Sequence, residues 1–206
     1  MQHQLTNPAA VALTQPRPNL RRRGVVRFLR EAAETLGLVV TLYALVNLAS
    51  ARFIVEGDSM QPNFATGQFL LISRANYLIG QPERGDIVVF HYPLNPEMDF
   101  IKRVIGLPGD TVEMIDTRVH VNGAELDEPY IREACLPQNC RDQRWEVSAG
   151  QYFVMGDNRN ESRDSRAFGP VDRRYMVGEA LVRYWPLQDL GIVSQYRYSG
   201  ETEITD

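Results

Sequence analysis

Residues Thr35 to Ala51 read Thr-Leu-Gly-Leu-Val-Val-Thr-Leu-Tyr-Ala-Leu-Val-Asn-Leu-Ala-Ser-Ala, without one charged side chain. As a helix this run is roughly 25 Å long at about 1.5 Å per residue, the short end of what crosses a hydrocarbon core. Arg21, Arg22, Arg23, Arg27 and Arg30 precede it, and Arg52 closes it. Three readings fit. A signal anchor holds the arginines in the cytoplasm by the positive-inside rule and exports the chain beyond Arg52. A cleavable signal peptide has the same two regions, and Ala49-Ser50-Ala51 supplies a small-x-small cleavage pattern. The third is a buried amphipathic helix of a soluble domain, towards which Thr41 and Asn47 lean. Before the arginines, residues 1 to about 20 are polar and carry Pro8, Pro16 and Pro18, which predicts a disordered tail. Charge divides at the same place: residues 1–52 sum to +5 and the remainder to −9. So acidic a body argues against nucleic acid as its main partner.

After residue 52 the helical pattern gives way to short alternating or apolar runs broken by glycine, proline and aspartate. With 206 residues in the chain, 44% of them apolar, the body has enough material for one sizeable core and a small second lobe. Strands are expected at Phe53–Val55, Phe69–Ser73, Ile87–His91, Phe100–Ile105, Thr111–Ile115, Arg118–Val121, Tyr152–Met155 and Ala180–Tyr184, many rich in β-branched and aromatic residues. Turns are expected at Gly67-Gln68, Gly85-Asp86, Gly109-Asp110, Asn122-Gly123 and Gly156-Asp157. The reading is a mainly β domain without βαβ alternation or internal repeat. Residues 123–151 show little periodicity and read as a surface excursion. Cys135 and Cys140 fall inside it; in an exported domain they would form a local disulfide, and otherwise a free pair. No second Cys or His pair accompanies them to suggest a metal site.

Chemistry enters through a count. Of 22 basic residues, one is lysine, Lys102, and it sits in the apolar run Phe100-Ile101-Lys102-Arg103-Val104-Ile105. Arginine cannot give up its proton in a protein, whereas a lysine in apolar surroundings can have its pKa lowered enough to act as a base. Ser59 follows an apolar strand in Phe53-Ile-Val-Glu-Gly-Asp-Ser-Met-Gln-Pro62 and is the candidate nucleophile. A histidine base has poorer support, with His3 in the tail and His91 and His120 in undistinguished strand-like runs. Gly57-Asp58-Ser59-Met60-Gln61 also lacks the second glycine of the Gly-x-Ser-x-Gly elbow.

Four ordered stretches carry a family resemblance: Ser59-Met60-Gln61-Pro62, Gly85-Asp86-Ile87-Val88-Val89-Phe90, Lys102 to Asp110 (Lys-Arg-Val-Ile-Gly-Leu-Pro-Gly-Asp), and Gly156 to Arg166 (Gly-Asp-Asn-Arg-Asn-Glu-Ser-Arg-Asp-Ser-Arg). Together they resemble the motifs of bacterial type I signal peptidases over about residues 25–190. The resemblance implies a coiled antiparallel β-sheet domain preceded by one amino-terminal transmembrane helix. It further implies a cytoplasmic basic tail over 1–30, a signal anchor over 31–51 and an extracytoplasmic catalytic domain over 52–206. It implies Ser59 as nucleophile, Lys102 as general base, Ser162 as the serine that orients the lysine, and Asp164 with Arg166 as a pair that shapes the site. Asp157, Asn158 and Arg159 would hold a turn. Phe53, Val55, Leu70, Ile72 and Ile101 align with substrate-pocket positions, although core packing explains each equally well. The partners implied are exported preproteins cut after small-x-small sites, typically Ala-x-Ala, and membrane lipid. The expected enzyme is a monomer in the cytoplasmic membrane with no metal, nucleotide or organic cofactor. Two departures stand out. Asn63 replaces a frequent threonine, and Gly57 stands where some members carry a serine that assists the oxyanion hole, leaving the Ser59 backbone N–H as the one assignable donor. Competing functions are a repressor-type self-cleaving Ser/Lys protease, for which residues 1–52 lack a helix-turn-helix pattern, and a non-catalytic membrane-tethered binding module.

Overall fold

A computed structural model describes residues 20–198; the polar tail of residues 1–19, read above as disordered, lies outside them. Residues 35–49 of the apolar run belong to helix α1, Leu20–Ala49, and its last two residues, Ser50 and Ala51, open the first strand; Arg27–Ala49 is long and apolar enough to cross a membrane and is exposed as far as Leu48. Two i,i+4 pairs, Arg27–Glu31 at 2.8 Å and Arg30–Glu34 at 2.7 Å, support its first turns. The polar residues inside the run do not break it, because Thr41 returns its hydroxyl to the Gly37 carbonyl at 2.8 Å. The described residues divide between Ala44 and Leu45 into two compact units.

The second unit is built of antiparallel strands, as its sequence pattern predicts. Eight belong to one sheet: β1 (Ser50–Ile54), β2 (Phe69–Ser73), β3 (Ile87–Tyr92), β4 (Asn95–Gly106), β9 (Gln151–Met155), β10 (Val171–Asp172), β11 (Met176–Trp185) and β12 (Gly191–Ile192). Their order is β1-β2-β11-β3-β4-β9-β10, with β12 on β11. The remaining four, β5 (Thr111–Ile115), β6 (Arg118–Val121), β7 (Ala124–Glu125) and β8 (Gln143–Glu146), form a second sheet ordered β7-β6-β5-β8. Two short helices, α2 (Ala75–Ile79) and α3 (Ser165–Phe168), complete the framework.

Several boundaries differ from the sequence reading for a pairing reason. β1 starts at Ser50, because Ser50 to Ile54 run opposite Ser73 to Phe69. β8 lies inside the stretch read as a surface excursion, where the register of Gln143–Glu146 against Met114–Thr111 supplies order that periodicity does not announce. Trp145 then packs on Phe153, with ring centroids 4.9 Å apart, and closes the core shared by Ile105, Val112, Met114 and Val147. In the same stretch Cys135 and Cys140 are joined by a disulfide with a Cα separation of 5.9 Å.

Among the described residues the large sheet leaves open the outer edges of β1, β10 and β12 and part of one edge of β4. β1 pairs with β2 on one side only, and β9 covers β4 only from Arg103 to Gly106. The Asn95–Lys102 half of β4 therefore has β3 on one side and no strand on the other.

Candidate active site

β1 leads into a turn that presents Ser59. Val55 extends the pairing through its N–H to the Gln68 carbonyl at 2.9 Å, and Gly57 then takes a φ of +81°, a left-handed conformation that favours glycine. Met60, 1% exposed, anchors the far side of the turn in the core with Val55, Phe64, Leu70 and Ile72. The Gly156–Asn158 segment clamps the turn from outside. Asn158 donates its backbone N–H to the Ser59 carbonyl at 3.0 Å and its side-chain amide to the Asp58 carbonyl at 3.1 Å. A Cβ at Gly156 would lie 2.4 Å from the Ser59 carbonyl oxygen and 2.3 Å from Ser162 Oγ, so the close approach requires glycine.

β4 brings Lys102 to the serine. Its Nζ lies 2.7 Å from Ser59 Oγ and donates to the Ile101 carbonyl at 2.8 Å. The side chain is 3% exposed. Burial lowers its pKa to about 8; the charges of Asp164 and Asp157 pull the other way, and Arg166 adds to the lowering. A lysine so placed is about one-tenth neutral at pH 7 and about half neutral at pH 8. Neither His91, paired with Asp99 at 2.6 Å, nor His120, on β6 in the second sheet, bonds to Ser59.

Around this pair stands a buried polar frame. Arg103, the residue after Lys102, makes a two-point bond to Asp157 at 2.9 and 2.8 Å, and Asp157 also accepts from Asn63 at 2.7 Å. The asparagine that replaces the expected threonine thus joins the serine turn to this frame. Asp164, fully buried, caps α3 and accepts from the Gly156 N–H at 3.0 Å and from two Arg166 nitrogens at 2.8 Å each. Burial alone would raise the Asp164 pKa, but Arg166 and the Gly156 N–H hold it below the usual carboxylate value. Arg166 in turn donates to Cys140 Sγ at 3.1 Å, which docks the disulfide loop on the frame. Ser162 Oγ is buried beside Gly156 with no partner in full hydrogen-bond geometry, though close enough to Asp164 to help hold that carboxylate ionised. No hydrogen bond joins it to Lys102, whose two partners are Ser59 and Ile101.

Ser59 and Lys102 open into a cleft of about 600 Å³. Of the five pocket positions read from the sequence, Phe53 and Ile101 line it, while Val55, Leu70 and Ile72 are buried in the core beneath. Glu97, Met98, Glu161 and Arg163 also face the cleft. Sequence reasoning missed these four, because an exposed side chain, charged or apolar, carries no period. It also read Asn158 only as holding a turn, and nothing in the local sequence indicates that the held turn is the one bearing Ser59.

The signal peptidase, peptidase S26 family model matches residues 29–185. Signal peptidase I of Leptolyngbya laminosa is 39% identical over 198 residues, covering 90% of this chain and 91% of the relative. Signal peptidase IB of Staphylococcus aureus is 34% identical over 182 residues, covering 81% and 91%. A crystal structure of a signal peptidase I from Enterococcus faecalis is 36% identical, covering 49% of this chain and 97% of that one at a TM-score of 0.44. The class that emerges is a serine peptidase, a hydrolase on an antiparallel β scaffold with an apolar amino-terminal helix. Within that class the chain belongs to the signal peptidase family, peptidase S26, and is a signal-peptide-cleaving peptidase.

Proposed function

We propose that Ser59 is the nucleophile and Lys102 the general base of a Ser/Lys dyad that cuts exported preproteins after small-x-small sites. The observation that carries this reading is the 2.7 Å approach of a buried, easily deprotonated Nζ to Ser59 Oγ. Neutral Lys102 takes the proton from Ser59 Oγ as that oxygen attacks the scissile carbonyl. The resulting ammonium returns the proton to the leaving amine as the peptide C–N bond breaks. Water then enters and attacks the acyl carbon as Lys102 removes its proton, and Lys102 gives that proton to Ser59 Oγ as the acyl–oxygen bond breaks. The Ser59 backbone N–H, which has no acceptor among the described residues, is the oxyanion donor. Gly57 supplies no hydroxyl to assist it. Ser162 Oγ, buried without a partner in full hydrogen-bond geometry, supports a role in orienting the amine. Asp164 and Arg166 shape the site by fixing Gly156 and do not touch the reacting atoms.

Specificity follows from the open edges of β1 and β4. An extended substrate fits between β1 and the uncovered half of β4, both of which border the cleft. Alternate side chains of such a strand point the same way, so the first and third residues before the cut face the wall formed by Phe53 and Ile101 and must be small. Alanine at both positions meets that demand. The arginines before the apolar run support, by the positive-inside rule, a topology with residues 1–30 in the cytoplasm, residues 31–51 across the membrane and residues 52–206 on the extracytoplasmic side. The enzyme then meets its preprotein at the membrane surface and acts as a monomer.

The test is cleavage of a preprotein bearing an Ala-x-Ala site by the detergent-solubilised wild type and by Lys102→Arg. Arginine keeps the charge but cannot serve as the base. The dyad predicts cutting after the final alanine by the wild type and a folded, inactive variant. A variant as active as the wild type reduces Lys102 to a structural cation.

A further inference from the structure

Next to the catalytic cleft lies a second cavity, of about 320 Å³, whose charged lining the peptidase reaction does not use. Arg52, Arg74, His91 and Asp99 line it, with apolar wall from Phe53 and Met176 among others. His91 and Asp99 satisfy one another at 2.6 Å. Arg52 and Arg74 have no ion pair or side-chain hydrogen bond among the described residues, although most other arginines of the second unit are paired. Two unpaired guanidiniums above an apolar wall offer a site for an anion that carries apolar groups.

Chain geometry says where that site lies. The Arg74 backbone N–H bonds to the carbonyl of Ala49, the last residue of α1, at 2.9 Å. Arg52 is three residues beyond Ala49, at most about 10 Å of extended chain. The polar layer on each side of a bilayer is on the order of 5–8 Å deep. If Arg27–Ala49 spans the membrane, both arginines stand within side-chain reach of the phosphates of the leaflet in which the helix ends.

We infer that Arg52 and Arg74 bind the phosphate of an anionic phospholipid in that leaflet, seating its glycerol and upper acyl chain against the apolar wall beside Phe53. This rests on the proposed membrane span. Bound there, the lipid borders the cleft through Arg52 and Phe53, which line both cavities, and fixes the height of the cleft above the bilayer.

The experiment is native mass spectrometry of the full chain released from neutral-detergent micelles, titrated with dioctanoyl phosphatidylglycerol or with inorganic phosphate. Each guanidinium near a lipid phosphate contributes about fivefold in affinity. Arg74→Gln should therefore weaken phosphatidylglycerol binding about fivefold and the double variant with Arg52→Gln by about twenty-five-fold. Arg141→Gln, an exposed charge removed elsewhere, should leave it unchanged, and inorganic phosphate should bind far more weakly than the lipid. Unaltered lipid affinity in the double variant, an equal loss in Arg141→Gln, or phosphate binding as tight as the lipid's would each overturn the assignment. Carbonate extraction of the wild-type protein from membranes tests the span separately. Release would sink the span, whereas lipid affinity indifferent to both arginines would sink the site and leave the span standing.

Discussion

Replacing Lys102 by methionine should yield a protein that lacks one source of stability gain between pH 7 and pH 10. In the folded chain the amine has a pKa of about 8, against 10.5 for an unperturbed lysine. Between those values the unfolded chain binds a proton that the folded chain does not, so raising the pH favours the folded state. The penalty for holding an ammonium in this site is fully present below pH 8 and gone above 10.5. At about 1.4 kcal/mol per pH unit it amounts to about 3 kcal/mol, of which about 2–3 kcal/mol is recovered between pH 7 and pH 10. Methionine has similar length and no charge. It forfeits the hydrogen bonds to Ser59 Oγ and the Ile101 carbonyl, but that loss hardly varies with pH and cancels when one pH is compared with another. The assay is urea unfolding of the detergent-solubilised full chain at pH 7, 8.5 and 10, followed by tryptophan fluorescence. The stability of the variant relative to wild type should fall by about 2–3 kcal/mol across the series. If the two stability curves run parallel, burial is not depressing Lys102, and the argument for its neutral form collapses.

The same neutral fraction sets a pH–rate profile. kcat/KM for preprotein cleavage should rise with pH through a limb near 8, and a profile flat from pH 6 to 10 would contradict a lysine base. Because the Asp164 charge holds the Lys102 pKa up, Asp164→Asn should move that limb to lower pH; a shift to higher pH would show that the sign is wrong. Gly156→Ala puts a methyl group 2.4 Å from the Ser59 carbonyl oxygen, so activity should drop by at least a hundredfold with a stability loss of about 1–3 kcal/mol. Wild-type cleavage by that variant would mean that the clamp does not position the serine. Asp157→Ala leaves Arg103 buried without its carboxylate and should cost about 3–5 kcal/mol in chemical denaturation. A loss below 1 kcal/mol would mean that Gly85 and Tyr130, the other neighbours of Arg103, suffice.

Features that depend on near neighbours along the chain are legible in the sequence. The charge-free run after an arginine cluster shows a helix as far as Ala49, because its apolar length is local, and only pairing with β2 takes Ser50 and Ala51 out of it. Phe69–Ser73, Thr111–Ile115 and Arg118–Val121 appear as strands with the boundaries read from alternation and turn residues. Ser59 and a lone lysine among arginines are visible as chemistry before any fold is known. Features that depend on partners distant in sequence are settled only by the fold. β8 exists through its register against β5, and the start of β1 is set by Ser73. Of five apolar candidates for the substrate wall, packing sends Val55, Leu70 and Ile72 into the core and leaves Phe53 and Ile101 at the cleft, a division that hydrophobicity cannot make. The 2.7 Å meeting of Lys102 with Ser59 likewise spans 43 positions of sequence, and the clamp of Asn158 on Ser59 joins segments further apart still. Such contacts form only when the sheet closes, so no local pattern of residues contains them.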